Sequence, residues 1–174
     1  MIPIRSAAAV ALPILLCMAT PNLSAQLALS PEHEQIQFLM GEWQTLSEYP
    51  DGTIVPGELS YRWVLGGAWM RVEFQGDPPG GGVWEAHVMQ RWSPDEEEYE
   101  VWVFAGPGPP VRYRGSSPEP GVYLVEARTE DGLRTGIDYR LMDDGAIYQE
   151  NWVVTEGQRQ ITLRTAYEPT ESSP

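Results

Sequence analysis

From Glu42 to Tyr167 the chain rarely runs past a dozen residues without meeting turn chemistry, and this punctuation limits its fold more than any other feature. The breaks are Pro50-Asp51-Gly52, Gly66-Gly67, Asp77 to Gly82, Ser93-Pro94-Asp95, Gly106 to Pro110, Ser117 to Gly121, Glu130-Asp131-Gly132, Asp143-Asp144-Gly145 and Glu156-Gly157. Each supplies residues that reverse the backbone. Between them lie ten segments rich in Val, Ile, Thr, Trp and Tyr with a period of two, the pattern of half-buried strands. They run over 42–49, 53–65, 68–76, 83–92, 98–105, 111–115, 121–128, 133–142, 146–154 and 158–167.

The 125 residues from Trp43 to Tyr167 give 12.5 per segment, which suits antiparallel hairpins and leaves no length for crossover helices. Ten strands linked by hairpins either expose two long edges or close on themselves. The expected fold is therefore all-β: an antiparallel up-and-down barrel of about ten strands with one short N-terminal helix. That helix starts at Ser30-Pro31-Glu32, where Ser30 offers a hydroxyl to free amides and Pro31 presets the first turn. Ile36, Leu39 and Met40 share a face, so about three turns should pack on the barrel and stop at Gly41.

Ahead of this unit, residues 1–25 have the layout of a secretory signal peptide: Arg5, an apolar run from Ala7 to Met18, and Leu23-Ser24-Ala25 at the expected cut. The organisation expected is a leader over 1–25, one barrel domain over 26–168 and a flexible tail over 169–174. Cleavage would place the protein in the periplasm or outside the cell, with no membrane insertion afterwards, and would remove Cys17, the single cysteine. Charge points the same way about partners. The chain has 11 basic residues, all Arg, against 25 acidic ones and a net charge of −14, which disfavours nucleic acid and anionic membrane surfaces.

Taken together, the helix leading into Gly41-Glu42-Trp43, the run Arg62-Trp63-Val64-Leu65-Gly66-Gly67-Ala68-Trp69, Val83-Trp84-Glu85, and Trp92-Ser93-Pro94-Asp95 followed by Tyr99 and Trp102 carry a family signal. Their order resembles the lipocalin-like, or calycin, exported bacterial proteins classed as a domain of unknown function, with nitrobindins as distant structural cousins. The resemblance implies a calycin barrel with Trp43 as a plug across the closed end, covered by a basic residue of the last strand, for which Arg164 is the choice. It attaches no reaction. Nitrobindins hold heme through a His near the C-terminal strand, whereas no His follows His87 here, so heme does not carry over and no cofactor is expected.

Chemistry-bearing motifs are few. Glu85 and His87 share one face of a strand and form the best acid/base pair, because His titrates near neutral pH and a carboxylate fixes its tautomer. The hydrophobic pattern favours the opposite face, with Trp84, Ala86, Val88, Gln90 and Trp92, as the inward one. No metal site is expected, since His33 is the one other His and a site needs at least three ligands. Nucleophile elbows, phosphate loops and dinucleotide fingerprints are missing from the sequence.

Aromatic content is the remaining signal: seven Trp, eight Tyr and three Phe. Tyr61, Trp63, Trp102, Tyr139 and Trp152 are the rings expected to line a cavity for a small, mostly apolar ligand, fatty-acid-like molecules included. Two other readings stay open. One is an enzyme of isomerase, cyclase or hydrolase type using His87 and Glu85; the other is a ligand-free protein contacting an envelope partner.

Overall fold

A computed structural model describes residues 29–129 and 131–170; the leader expected over 1–25 and the end of the tail lie outside the described residues. A short helix α1 (Pro31–Gln35) is followed by a 3-10 turn (Gln37–Leu39) and ten strands: β1 (Gly41–Glu48), β2 (Ile54–Val64), β3 (Trp69–Gly76), β4 (Trp84–Ser93), β5 (Glu98–Phe104), β6 (Val111–Ser116), β7 (Val122–Arg128), β8 (Arg134–Leu141), β9 (Ile147–Thr155) and β10 (Gln158–Pro169). Each strand pairs antiparallel with the next, and β1 pairs with β10, so the sheet closes into an up-and-down barrel. Closure removes the free edges that a ten-strand meander would otherwise present.

Two local expectations change. The helix is shorter than three turns because the backbone leaves the α conformation at Ile36, and the last turn tightens to 3-10. Ser30 caps it as expected, accepting from the His33 amide at 3.3 Å. The first two residues of the expected tail are ordered: β10 runs to Pro169, and the Thr170 amide donates to the Glu42 carbonyl at 3.1 Å; residues 171–174 lie outside the described residues.

Two irregularities bear on the wall. Between β9 and β10, Ile161 pairs with Trp152 and Leu163 with Asn151, so Thr162 forms a bulge that reverses which residues of β10 face inward. Between β6 and β7 three residue pairs hold the ladder, Arg114 with Glu126, Gly115 with Val125 and Ser116 with Leu124. It is a thin seam beside the eight pairs of β1 with β2.

Alternation of direction puts the loops after β2, β4, β6 and β8 at one end with α1, and the loops after β1, β3, β5, β7 and β9 at the other. At the α1 end, Ile36 and Leu39 are buried and pack into the barrel core with Tyr61, Met70, Tyr99 and Tyr123. Burying each such side chain contributes about 1.5–3 kcal/mol. Two hydrogen bonds tie the cap down: Trp43 Nε1 donates to the Leu39 carbonyl at 2.9 Å, and the Tyr99 hydroxyl donates to the Glu32 carbonyl. The opposite end, hereafter the mouth, carries the two Gly/Pro-rich loops, 77–83 and 105–110.

Candidate functional site

The barrel interior divides into layers. Toward the cap its inner face is a floor of rings: Tyr99 packs edge-on to Trp92 and Tyr123, and Tyr123 stacks on Tyr139 with centroids 5.8 Å apart. Hydroxyls and amides within this floor satisfy one another, as buried polar groups must. Tyr123 donates to Gln90 Oε1 at 3.0 Å, the Tyr61 and Tyr167 hydroxyls lie 3.3 Å apart, Tyr167 donates to Gln149 Oε1, and Gln149 donates to Asn151. Burial pushes the phenols of Tyr61, Tyr123, Tyr139 and Tyr167 well above their ordinary range, so all four stay neutral.

Toward the mouth the inner face carries smaller side chains: Thr45, Ser47 and Gly57 on one side, Ala86, Val103 and Ala127 on the other. Its walls differ in character. Adjacent strands β9, β10 and β1 present Asn151, Thr165, Thr45 and Ser47, and Ser47 and Thr165 share a hydrogen bond of 2.9 Å. The facing strands β3 to β5 and β7 present Val72, Val88, Val101, Val103 and Val125. Between the ring floor and the valine wall lies a cavity of about 30 Å³ bounded by Leu39, Tyr61, Gln90, Tyr123, Tyr139 and valines of β3 to β7. That is space for a single water.

Two rings stand at the mouth. The Phe74 ring rests against the backbone of Gly57 and Gly76, where an added Cβ would come within 3.1 and 2.8 Å of it, so both positions require glycine for this approach. Trp84 packs on Phe74 with centroids 5.0 Å apart and is 45% exposed. Ile54, Val83, Phe104, Val111 and Leu133 are further exposed apolar residues along the same rim.

The residues singled out in the sequence separate. Tyr61 and Tyr139 lie in the ring floor, and Trp63 is at the capped end, 4.6 Å from the His33 ring. Trp102 and Trp152 point away from the interior, correcting their expected place in a cavity lining. Trp102 lies beneath Arg112, and Trp152 covers Gly136, bonds Asp138 at 2.8 Å and lies beneath Arg159. Trp43 does occupy the closed end, but its expected partner does not: Arg164 is on the outer face, 3.1 Å from Glu150. An odd number of residues from Thr165 and Tyr167 places it there. Glu85 and His87 are also outward, with His87 Nδ1 3.7 Å from Glu73 in an outer groove of about 370 Å³ crossing β1 to β4. A second outer groove of about 1140 Å³ crosses β6 to β9, where Arg112, Arg114, Arg134 and Arg159 are each paired with a carboxylate. Among the described residues no cluster of three metal-ligating side chains occurs.

Thr45, Ser47, Tyr123, Gln149, Thr165 and Tyr167 are interior polar residues that motif reading missed, whereas Gln90 was expected on the inward row of its strand. Strand parity held the signal: on β1, β4, β7, β9 and β10 they take the face opposite to the charged positions.

No family model matches the chain, and no curated protein matches it. Among solved structures, an S-type phycobiliprotein lyase from Guillardia theta aligns with a TM-score of 0.52 at 10% identity, covering 81% of this chain and 92% of that one. A redesigned β-barrel aligns with a TM-score of 0.42 at 12% identity, covering 78% of this chain and 94% of that one. Both neighbours are barrels. The alignment with the lyase shows a shared barrel fold; it attaches no domain family, and a resemblance to nitrobindins is not shown.

Proposed function

We propose that this protein holds a small, mostly apolar molecule inside the barrel, between the ring floor and the mouth, and that it does so outside the cytoplasm. The observation that carries the binding reading is the layering of the interior: a floor closed by interlocked rings, a zone of small side chains above it, and an apolar rim around the loops. Small-molecule sites have this character, concave and mostly apolar with a few placed polar groups. A lipocalin-like barrel of similar extent serves in a phycobiliprotein lyase, which supports a ligand-holding role for the architecture. The export reading rests on the leader-like residues 1–25.

A guest larger than a water enters by displacing the Phe74 and Trp84 rings, and Trp84, half in solvent, has room to swing. The enzyme reading is less well served, because Glu85 and His87 stand on the outer wall, where nothing encloses a substrate. To test the binding reading, an apolar fluorescent probe is titrated into the protein while Trp emission and melting temperature are followed. Binding raises the melting temperature by mass action whatever the probe's chemistry. Ala86→Leu, which fills the zone below the mouth, should weaken the probe, and Trp102→Ala on the outer wall should leave it unchanged. A broad panel that moves neither signal removes the carrier reading and leaves a filled barrel with an external partner.

A further inference from the structure

From the charge pattern of the barrel wall we infer that the guest is uncharged where it is buried, an apolar molecule with a neutral hydrogen-bonding group read by Thr45, Ser47 and Thr165. The inference rests on the barrel-binding reading and narrows it to a ligand class. Its first support is a segregation that holds on all ten strands. The inward rows contain no Arg, His, Asp or Glu, running for example Trp43-Thr45-Ser47 on β1, Tyr99-Val101-Val103 on β5 and Gln149-Asn151-Val153 on β9. The ten arginines of the described residues all take the other face, many in cross-strand pairs such as Arg134 with Glu126 and Arg91 with Glu100. The chain has no Lys to add a cation.

A carboxylate, phosphate or sulfonate carried past the mouth thus meets no counter-charge. An unpaired ion in such a place costs several kcal/mol in lost hydration. A buried ammonium group meets no carboxylate either. Fatty acids, an expectation of the sequence, are disfavoured for this reason, while alcohols, ketones, phenols and amides are not.

The second support is the one-sided polarity of the interior. On β1 and β10 the hydroxyls of Ser47 and Thr165 are hydrogen-bonded to each other opposite the valine wall, and Thr45, two residues before Ser47 in the same inward row, 2% exposed and with its hydroxyl towards Gly57, has no hydrogen-bond partner for its Oγ1 among the described residues. Leaving a buried hydroxyl unmatched is costly, and a neutral guest presenting a complementary group offsets that cost. The hydroxyl both donates and accepts, so it suits a carbonyl or a hydroxyl.

The experiment compares matched pairs on the purified protein. N-phenyl-1-naphthylamine and 8-anilinonaphthalene-1-sulfonate share a ring skeleton and differ by one anionic group. The neutral probe should bind with a rise in melting temperature, and the sulfonate should bind at least about 100-fold more weakly. 1-Naphthylmethylamine, a cation at neutral pH, should also bind more weakly than the neutral probe. Equal binding by either ion overturns the inference while leaving the barrel reading in place; no binding by any of the three overturns both. For the polar wall, 2-naphthol should outbind naphthalene, and Thr45→Val should reduce that preference about 3- to 10-fold without changing naphthalene affinity. Ser47→Ala serves as the second variant, with circular dichroism confirming an intact barrel for each. A preference untouched in both variants overturns the assignment of these hydroxyls.

Discussion

The two halves of the interior are built on opposite principles. Near the cap, Tyr61, Tyr99, Tyr123, Tyr139 and Tyr167 interlock with Leu39, and the hydroxyls of Tyr61, Tyr123 and Tyr167 are hydrogen-bonded to one another or to glutamines, so the interior there is filled, with His33 Nε2 and Trp63 Nε1 left unpartnered among the described residues. Near the mouth, Thr45, Ser47, Ala86 and Ala127 are short, one hydroxyl lacks a partner, and the rings covering the zone are partly in water. The contrast teaches where stability resides and where the proposed guest would sit. A closed floor supplies the close-packed contacts that hold the cap to the sheet, which leaves the mouth free to be loosely occupied.

Substitutions can break this contrast, beginning with the largest effect. Leu39→Ala opens a hole at a fully buried position of the floor and should lower unfolding free energy by about 2–5 kcal/mol in urea titrations. Val111→Ala, at the exposed rim, should cost under about 1 kcal/mol in the same assay. Equal losses would mean that the halves do not differ. Next, Tyr123→Phe strips Gln90 Oε1 of its buried donor and should cost about 1–3 kcal/mol, read from the same titration midpoint.

A third prediction concerns pH. Burial against Trp63 holds His33 below its ordinary 6.5, with nearby Glu32 opposing the shift, so the unfolded chain binds that proton more readily than the folded one. The contribution of neutral His33 is complete above pH 6.5 and is lost as pH falls below it. His33→Phe should flatten the fall in melting temperature between neutral and mildly acidic buffer; an unaltered slope counts against a cap-end origin. The smallest effect is expected on the outer wall. Arg164→Ala removes a half-exposed ion pair with Glu150 and should change stability by no more than about 1 kcal/mol, with Trp43 emission unshifted.

Much of the barrel was legible in the sequence because turn chemistry is local: each of the nine breaks falls between two observed strands, and strand limits agree to within a residue or two. Which rings face inward was harder. Trp69, Trp102 and Trp152 all lie outside, each under an arginine, Arg91, Arg112 and Arg159 respectively, so aromatic identity alone does not mark the interior. Charge parity does mark it: Trp102 shares its face with Glu98 and Glu100, and Trp152 with Glu150. The position of Arg164 also followed from parity, since it alternates with Thr165. The bulge at Thr162 left no comparable trace, because it depends on how β10 pairs with β9. Thr45, Ser47 and Thr165 were passed over since hydroxyls on strands look alike until a register brings them together.

The three-pair seam between β6 and β7 gives the barrel its point of least resistance to self-association. Wherever a closed sheet parts, it acquires two raw edges able to recruit a neighbouring chain. Here the flanks of that gap are set with Arg112 and Arg114 on one strand and Glu126 and Arg128 on the other, charges that must be stripped of water before a foreign strand can dock. Charges so placed raise the cost of docking a foreign strand at this rung relative to re-pairing of β6 with β7.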